Sequence, residues 1–143
     1  EYLGIDPSKC LKPLYKKIIN TLGSNKQSIQ NIGIEKVDVA TIGEHYDLCF
    51  SSPPFYDLEV YDNLNKEQSI TGYKSQLDWE KSFLTVLVEQ NISVLLSKGH
   101  LALYIPENYY IIEYLNKHKL LTYKGDISFY TPRRRKIFIW QKD

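Results

Sequence analysis

Short apolar runs alternate with segments of helical periodicity along this chain. A run of four to eight apolar residues that ends in turn residues predicts a buried strand, whereas apolar residues at three- and four-residue spacing predict a helix with one apolar face. Glycine and proline mark where such elements stop. The predicted strands are residues 2–5, 34–39, 46–50, 100–105, 121–130 and 136–141, and the predicted helices are residues 11–22, 79–98 and 107–119.

Turn and cap residues set the limits of these elements. Gly23 closes the first helix, Asp78 is the expected cap of the second, and Gly99 is its expected end. Residues 24–31 and 62–76 are polar and predict loops. The second loop is long enough to suggest a functional lid over a site.

The order of the elements predicts an α/β domain. Strands that alternate with helices form a mostly parallel sheet, and the last two strands form an antiparallel hairpin. The strand at residues 46–50 ends in Ser-Ser-Pro-Pro. Two consecutive prolines remove two backbone donors, so the strand cannot continue and a rigid loop follows it. In open α/β sheets, ligands bind at this carboxyl edge.

Composition narrows the class of protein only modestly. The 143 residues suit one domain, and 43% hydrophobic with 24% charged residues are ordinary globular values. The net charge of +1 gives no electrostatic steering in either direction. Cys10 and Cys49 form neither a disulfide framework nor a metal set, and we expect both to be reduced, buried thiols of an intracellular protein. No run is long enough to span a membrane, and no signal peptide is visible.

The chain contains no methionine and begins with Glu1. We therefore expect residues 1–143 to be one domain that is incomplete at its N-terminus, as part of a longer chain.

The tetrapeptide Ser52-Pro53-Pro54-Phe55 resembles the catalytic motif of S-adenosylmethionine-dependent amino-methyltransferases. That motif carries Asp, Asn or Ser, then Pro-Pro, then an aromatic residue. The resemblance implies that these four residues are catalytic and that Tyr56 beside them contacts nucleic acid. An ordinary proline turn is the alternative interpretation of the same four residues.

The segment Tyr-Leu-Gly-Ile-Asp-Pro-Ser resembles the second strand of a Rossmann-like methyltransferase fold. In that family an acidic residue at the end of this strand accepts hydrogen bonds from the cofactor ribose, and Asp6 matches it. A helix cap is the alternative role for Asp6. The resemblance also implies that Asp38, Val39 and Ser51 contact the cofactor, with Asp38 on its adenine amine. An exposed aspartate at a strand end is the competing account of Asp38.

The resemblance runs from the second to the seventh strand of that fold and covers nearly the whole chain. It implies methylation of an exocyclic amine, most closely adenine N6 or cytosine N4 in DNA, with S-adenosylmethionine as cofactor. Arg133, Arg134 and Arg135 in the hairpin turn would contact nucleic acid, and a solvated basic turn is the alternative. A non-catalytic module that binds nucleic acid or a partner, or a methyltransferase acting on RNA or protein, are the other functions left open.

One part of the family pattern is missing. The seven glycines never form Gly-x-Gly, and no strand precedes Tyr2. In the family, the first strand and its glycine-rich loop lie between the strands that correspond to residues 2–5 and 46–50. We therefore predict an unfilled position between these two strands, which upstream residues or another chain would fill. Direct hydrogen bonding between the two strands would instead mean a closed, shortened fold.

Overall fold

A computed structural model describes residues 1–23, 26–43, 45–54, 56, 72–129 and 135–143. Six strands and four α-helices alternate along this part of the chain, with a π-helical turn between the second and third helices. The strands are β1 (Tyr2–Ile5), β2 (Gln27–Gln30), β3 (Tyr46–Ser51), β4 (Leu95–Pro106), β5 (Leu121–Ser128) and β6 (Arg135–Lys142). The helices are α1 (Lys12–Leu22), α2 (Gln76–Trp79), the π-helical turn (Glu80–Leu84), α3 (Thr85–Val94) and α4 (Tyr110–Asn116).

The strands form two hydrogen-bonded groups. β1 and β2 are a parallel pair, and the other group has the order β3-β4-β6-β5. β3 and β4 are parallel, whereas β6 is antiparallel to both β4 and β5. The mixed α/β sheet with a C-terminal antiparallel hairpin is therefore confirmed. Because β5 is antiparallel to β6, it runs in the same direction as β3 and β4.

β1 and β3 lie side by side without pairing to each other. Their amino ends are joined by a hydrogen bond between Glu1 Oε2 and His45 Nε2 at 2.7 Å, and this contact lowers the pKa of the Glu1 carboxyl. Their carboxyl ends, at Asp6 and Ser52, line one cleft. The two strands are not hydrogen-bonded to each other, so the closed, shortened fold is not what forms.

The core lies where α3 and α4 pack on the second group of strands. Trp79, Leu101, Ile111 and Trp140 are fully buried. Burial of an aliphatic side chain such as Leu101 or Ile111 stabilises the fold by about 1.5–3 kcal/mol. The indole Nε1 of Trp140 donates to Asn116 Oδ1 at 2.9 Å, which satisfies a buried donor. No helix in the described part of the chain is both long and apolar enough to cross a lipid bilayer.

One predicted strand is in the wrong place. Residues 34–39 contain a 3₁₀ turn at Ile34–Lys36 and the start of another at Val39–Thr41, while the strand lies at Gln27–Gln30 in the predicted loop. β2 is an edge strand with Ile29 as its one half-buried residue, so it lacks the apolar alternation that sequence analysis detects. The apolar residues after it, such as Val37, are buried from turns instead.

Several finer predictions also need correction. Ser75, not Asp78, caps α2, because its side chain accepts from the Asp78 amide at 3.1 Å. Gly99 lies inside β4, since the helix already ends at Val94. Gly99 is required there by close packing, because a Cβ atom would approach Leu96 O to 2.9 Å. Cys49 is buried as expected, but Cys10 is exposed.

Candidate functional site

A cleft of about 550 Å³ opens between β1 and β3. This volume lies in the range of small-molecule and cofactor sites, which are mostly apolar with a few polar groups. The carboxyl end of β1 supplies Asp6, the end of β3 supplies Ser51, and the loop that follows supplies Ser52, Pro53 and Pro54. The sheet therefore brings together residues that are separated by more than 40 positions in the sequence.

The Ser-Pro-Pro loop exposes its serine and buries its first proline. Ser51 is the last residue of β3 and pairs with Leu103 of β4. Ser52 is exposed, Pro53 is buried and Pro54 is half-buried. The fixed φ angles of two prolines hold the loop rigidly at the strand end. Phe55 lies outside the described residues, so its predicted catalytic role stays a prediction.

Asp6 is held in place by its neighbours at the end of β1. Its Oδ1 accepts from the Ser8 amide at 2.7 Å, and its Oδ2 accepts from the Tyr15 hydroxyl of α1. Burial and this hydrogen bond to Asp6 raise the pKa of Tyr15 to about 12, so the hydroxyl stays a donor at neutral pH. Asn31 Nδ2 donates to Ser8 O at 3.1 Å and fixes the same turn.

Asp6 is not the cap residue of the helix that follows. The cap positions are Ser8 for the 3₁₀ turn Lys9–Leu11 and Leu11 for α1. Each carboxylate oxygen of Asp6 has further acceptor capacity beyond the contacts it makes in this structure. Asp6 is therefore oriented at the edge of the cleft and able to accept hydrogen bonds from a ligand.

Asp38 and Val39, both predicted to contact the cofactor, differ in position. Val39 lines the cleft, whereas Asp38 is exposed and is not among the lining residues. Asp38 Oδ1 accepts from the Ala40 amide at 3.2 Å and caps the 3₁₀ turn Val39–Thr41. Glu35, which sequence analysis did not select, does line the cleft.

Aromatic packing supports Tyr56, which follows the Ser-Pro-Pro-Phe tetrapeptide. The Tyr56 ring lies 6.0 Å from the ring of Trp79, and its hydroxyl donates to Tyr73 O at 3.4 Å. Tyr56 thus joins the loop after β3 to the segment before α2. Its predicted contact with nucleic acid stays a prediction, as does the lid, because residues 57–71 lie outside the described part of the chain.

The end of β5 and the start of β6 lie at the same edge of the sheet as Ser52. β5 runs parallel to β3 and ends at Ser128, and β6 begins with Arg135 opposite Pro106. Arg135 is a half-buried strand residue and not part of the turn. Arg133 and Arg134 fall outside the described residues, so their predicted contact with nucleic acid stays a prediction.

Three residues of this site were missed by sequence analysis: Tyr15, Glu35 and Gln90. Gln90 lines the cleft from α3, and its buried Oε1 has no hydrogen-bond partner in the described structure. Tyr15 falls at helical spacing with the apolar residues of α1, where its hydroxyl is the available signal for a polar contact. Among the described residues, no group of three or more His, Cys, Asp or Glu side chains could hold a metal ion.

Solved structures of methyltransferases resemble this chain closely in fold and weakly in sequence. An rRNA methylase from Streptococcus thermophilus has a TM-score of 0.65 at 12% identity, over 98% of this chain and 72% of its own length. A methyltransferase from Pyrococcus furiosus has a TM-score of 0.60 at 20% identity, over 98% and 61%. The N-methyltransferase NodS from Bradyrhizobium japonicum WM9 has a TM-score of 0.62 at 12% identity, over 98% and 72%.

No protein-family model and no curated protein matches the sequence. The structural likeness nevertheless shows a methyltransferase-like α/β fold, in agreement with the sequence-based expectation. The chain spans between 61% and 72% of the length of these three proteins. Identities of 12–20% show a shared fold alone, so the activities of these three proteins do not carry over to this chain.

Proposed function

We propose that this chain is part of an S-adenosylmethionine-dependent methyltransferase that acts on an exocyclic amine, adenine N6 or cytosine N4 in DNA. The observation that carries the proposal is the cleft, which joins Asp6 to the Ser51–Pro54 loop in a methyltransferase-like fold. Both segments lie at carboxyl ends of strands, where α/β folds bind their ligands.

The residues around the cleft fit the proposed cofactor. The Asp6 carboxylate would accept from the two ribose hydroxyls, and Val39 and Ser51 would contact the rest of the molecule. Glu35 is better placed than Asp38 to accept from the adenine amine, because Glu35 lines the cleft. When bound, S-adenosylmethionine supplies a methyl group activated by its sulfonium.

The Ser-Pro-Pro loop would prepare the amine for reaction. An aromatic amine has its lone pair delocalised into the ring and is a poor nucleophile. Ser52 Oγ and the carbonyl oxygens beside it would accept the amine N–H groups, which favours a tetrahedral nitrogen with its lone pair free to attack. Phe55 would stack on the extruded base and contribute about 1–3 kcal/mol. Positioning and oriented dipoles then account for catalysis without a strong general base.

Asp6→Ala in the full native chain should weaken S-adenosylmethionine binding at least tenfold, or about 1.4 kcal/mol. The reason is the loss of a carboxylate that accepts from the ribose. Isothermal calorimetry measures the effect, and Asp47→Ala is the matched control, because Asp47 is exposed on β3 and does not line the cleft. An unchanged dissociation constant in Asp6→Ala would mean that Asp6 only stabilises its own turn and does not bind the cofactor.

The hairpin arginines are proposed to contact DNA phosphates. Replacing Arg133, Arg134 and Arg135 by alanine should flatten the dependence of DNA affinity on salt, by about 0.9 in log–log slope for each phosphate that is no longer neutralised. Replacing Lys12, Lys16 and Lys17 removes the same charge from the exposed side of α1 and should leave the slope nearly unchanged. Equal slopes for the arginine variant and wild type would argue for a solvated turn.

A non-catalytic module that binds nucleic acid or a partner is the second candidate. The absence of any Gly-x-Gly among the seven glycines favours it, since a glycine-rich loop lets the backbone approach a cofactor closely. The retained Ser-Pro-Pro-Phe argues against it. An RNA amine is the other substrate to test, because one structural neighbour is described as an rRNA methylase.

A further inference from the structure

Two hydrogen-bond donors from outside the cleft set the orientation of the Asp6 carboxylate. The Ser8 amide donates to Asp6 Oδ1 at 2.7 Å, and the Tyr15 hydroxyl of α1 donates to Asp6 Oδ2. Asp6 lines the cleft, whereas Ser8 and Tyr15 do not. The two donors therefore approach the carboxylate from the side away from the cleft, with one donor on each oxygen.

The backbone of Asp6 is fixed independently of these donors. Its amide donates to Gln30 O at 3.1 Å and so prolongs the pairing of β1 with β2 by one residue. Pro7 restricts the residue before it to extended conformations. Asn31 Nδ2 donates to Ser8 O at 3.1 Å and holds the turn that follows. The side-chain torsions of Asp6 are the freedom that remains, and the two donors remove it.

Each oxygen of the Asp6 carboxylate keeps acceptor capacity for a ligand. An ionised carboxylate has about four lone-pair sites, two on each oxygen. Ser8 and Tyr15 take one site on each oxygen. The two sites that remain are on neighbouring oxygens, which suits a ligand with two neighbouring hydroxyl groups. Rotation of the carboxylate would turn one oxygen away from the cleft and leave a single acceptor for such a ligand.

Tyr15 is the side chain that controls this orientation, because the other donor is the backbone amide of Ser8. Tyr15 is half-buried. Burial and the hydrogen bond to Asp6 raise the pKa of Tyr15 to about 12, so its hydroxyl is a donor at every pH near neutrality. A phenylalanine at this position would fill nearly the same space and leave Asp6 Oδ2 without its donor.

We infer that Tyr15 is a positioning residue for cofactor binding, and that its hydroxyl makes the Asp6 carboxylate selective for a ligand with two neighbouring hydroxyl groups. The inference rests on the proposed function, in which Asp6 accepts from the two ribose hydroxyls. Tyr15 lies outside the cleft lining and acts through Asp6. The competing account is a structural role, in which the Tyr15 hydroxyl only attaches α1 to the end of β1.

Calorimetry on the full native chain tests the effect on affinity. Tyr15→Phe should weaken S-adenosylmethionine binding about threefold to tenfold, because the ligand must then order the Asp6 side chain itself. Tyr123→Phe is the matched control, since it removes a hydroxyl that donates to another carboxylate, Asp126 Oδ2, at 3.2 Å. This pair lies on β5, at the far edge of the other group of strands, and the control should bind the cofactor as wild type does. An unchanged dissociation constant in Tyr15→Phe would overturn the inference.

A double-mutant cycle tests whether Tyr15 acts through Asp6. In an Asp6→Ala background, Tyr15→Phe should have no further effect on the dissociation constant of S-adenosylmethionine. In an Asp47→Ala background it should keep its full effect, because Asp47 is exposed and does not line the cleft. Additive effects of Asp6→Ala and Tyr15→Phe would overturn the inference.

Ligand preference distinguishes positioning from a structural role. S-adenosylhomocysteine, which is the cofactor without its methyl group, is compared with its 3′-deoxy analogue, which lacks one ribose hydroxyl. Wild type should prefer the complete ribose about tenfold or more, since a hydrogen bond to a charged acceptor is lost in the analogue. Tyr15→Phe should reduce this preference about threefold. A structural role would weaken both ligands by the same factor, so an unchanged preference would overturn the inference.

These measurements also separate the inference from the proposed function. The preference is a ratio measured on protein that binds both ligands, so a lower stability of Tyr15→Phe does not alter it. A wild-type chain that binds neither S-adenosylmethionine nor S-adenosylhomocysteine would refute the proposed function and the inference together. If Asp6→Ala weakens binding while Tyr15→Phe equals wild type in affinity and preference, the role of Tyr15 is refuted and the proposed function stands.

Discussion

Alanine at Ser52 or at Phe55 is expected to reduce methyl transfer about a hundredfold or more and to change the melting temperature little. Ser52 is exposed at the end of β3, so its hydroxyl contributes little to the core. A preorganised polar group aimed at a reacting centre is worth about 10²–10³ in rate, and stacking of one base on an aromatic ring about 1–3 kcal/mol. Both substitutions therefore lower the rate of methyl transfer and leave the fold intact.

The assay is methyl transfer to DNA under saturating cofactor, with thermal unfolding followed on the same samples. Ser93→Ala is the control, because Ser93 is exposed on α3 and its hydroxyl only donates to Gln90 O within the helix. Cooperative loss of structure in Ser52→Ala or Phe55→Ala would mean that the Pro-Pro loop is structural, and the catalytic assignment would fail.

Trp79→Ala should destabilise the domain by about 3–5 kcal/mol, the usual cost of truncating a fully buried aromatic residue. Trp79 has no exposed surface, stacks on Phe83 at 5.7 Å and meets Tyr109 edge-on at 6.1 Å. The substitution also removes the ring against which Tyr56 packs. The loop after β3 should therefore loosen as the core weakens.

Equilibrium unfolding in urea measures this effect as a lower free energy of unfolding. Leu77→Ala is the matched control on the same helix, and 49% exposure of Leu77 predicts a change within about 0.5 kcal/mol. A Trp79→Ala variant as stable as the Leu77→Ala variant would contradict the packing described for the core.

The positions of β3 and of the final hairpin were predicted well, although Cys49 is the one buried residue of the predicted buried strand β3. β3 is a short apolar run ended by two prolines, and the structure places it at the edge of the four-stranded sheet with its end at the cleft. The final hairpin was also predictable, because its two strands are long and β6 buries Phe138 and Trp140 on one face.

Prediction failed where the local pattern of apolar and polar residues does not match how a segment packs in the fold. Gln27–Gln30 is polar because it lies at an edge. Of the apolar residues after it, Val37 is buried and Ile34 and Val39 are half-buried, in or beside 3₁₀ turns that have no strand period. The face of α1 was expected to be buried, yet Leu22 is 81% exposed, since nothing in the described chain packs on it. The hydrogen bond from Tyr15 to Asp6 joins residues nine positions apart and depends on how the helix returns over the strand.

The most direct test of the central claim is the identity of the methylated product. The full native chain is incubated with S-adenosylmethionine that carries a deuterated methyl group and with unmethylated DNA, and the DNA is then digested to nucleosides for mass spectrometry. We predict the label on N6-methyladenine or N4-methylcytosine, and about a hundredfold less label with the Ser52→Ala variant. Label on a ring carbon, or no labelled nucleoside from a chain that calorimetry shows to bind the cofactor, would contradict an amino-methyltransferase acting on DNA.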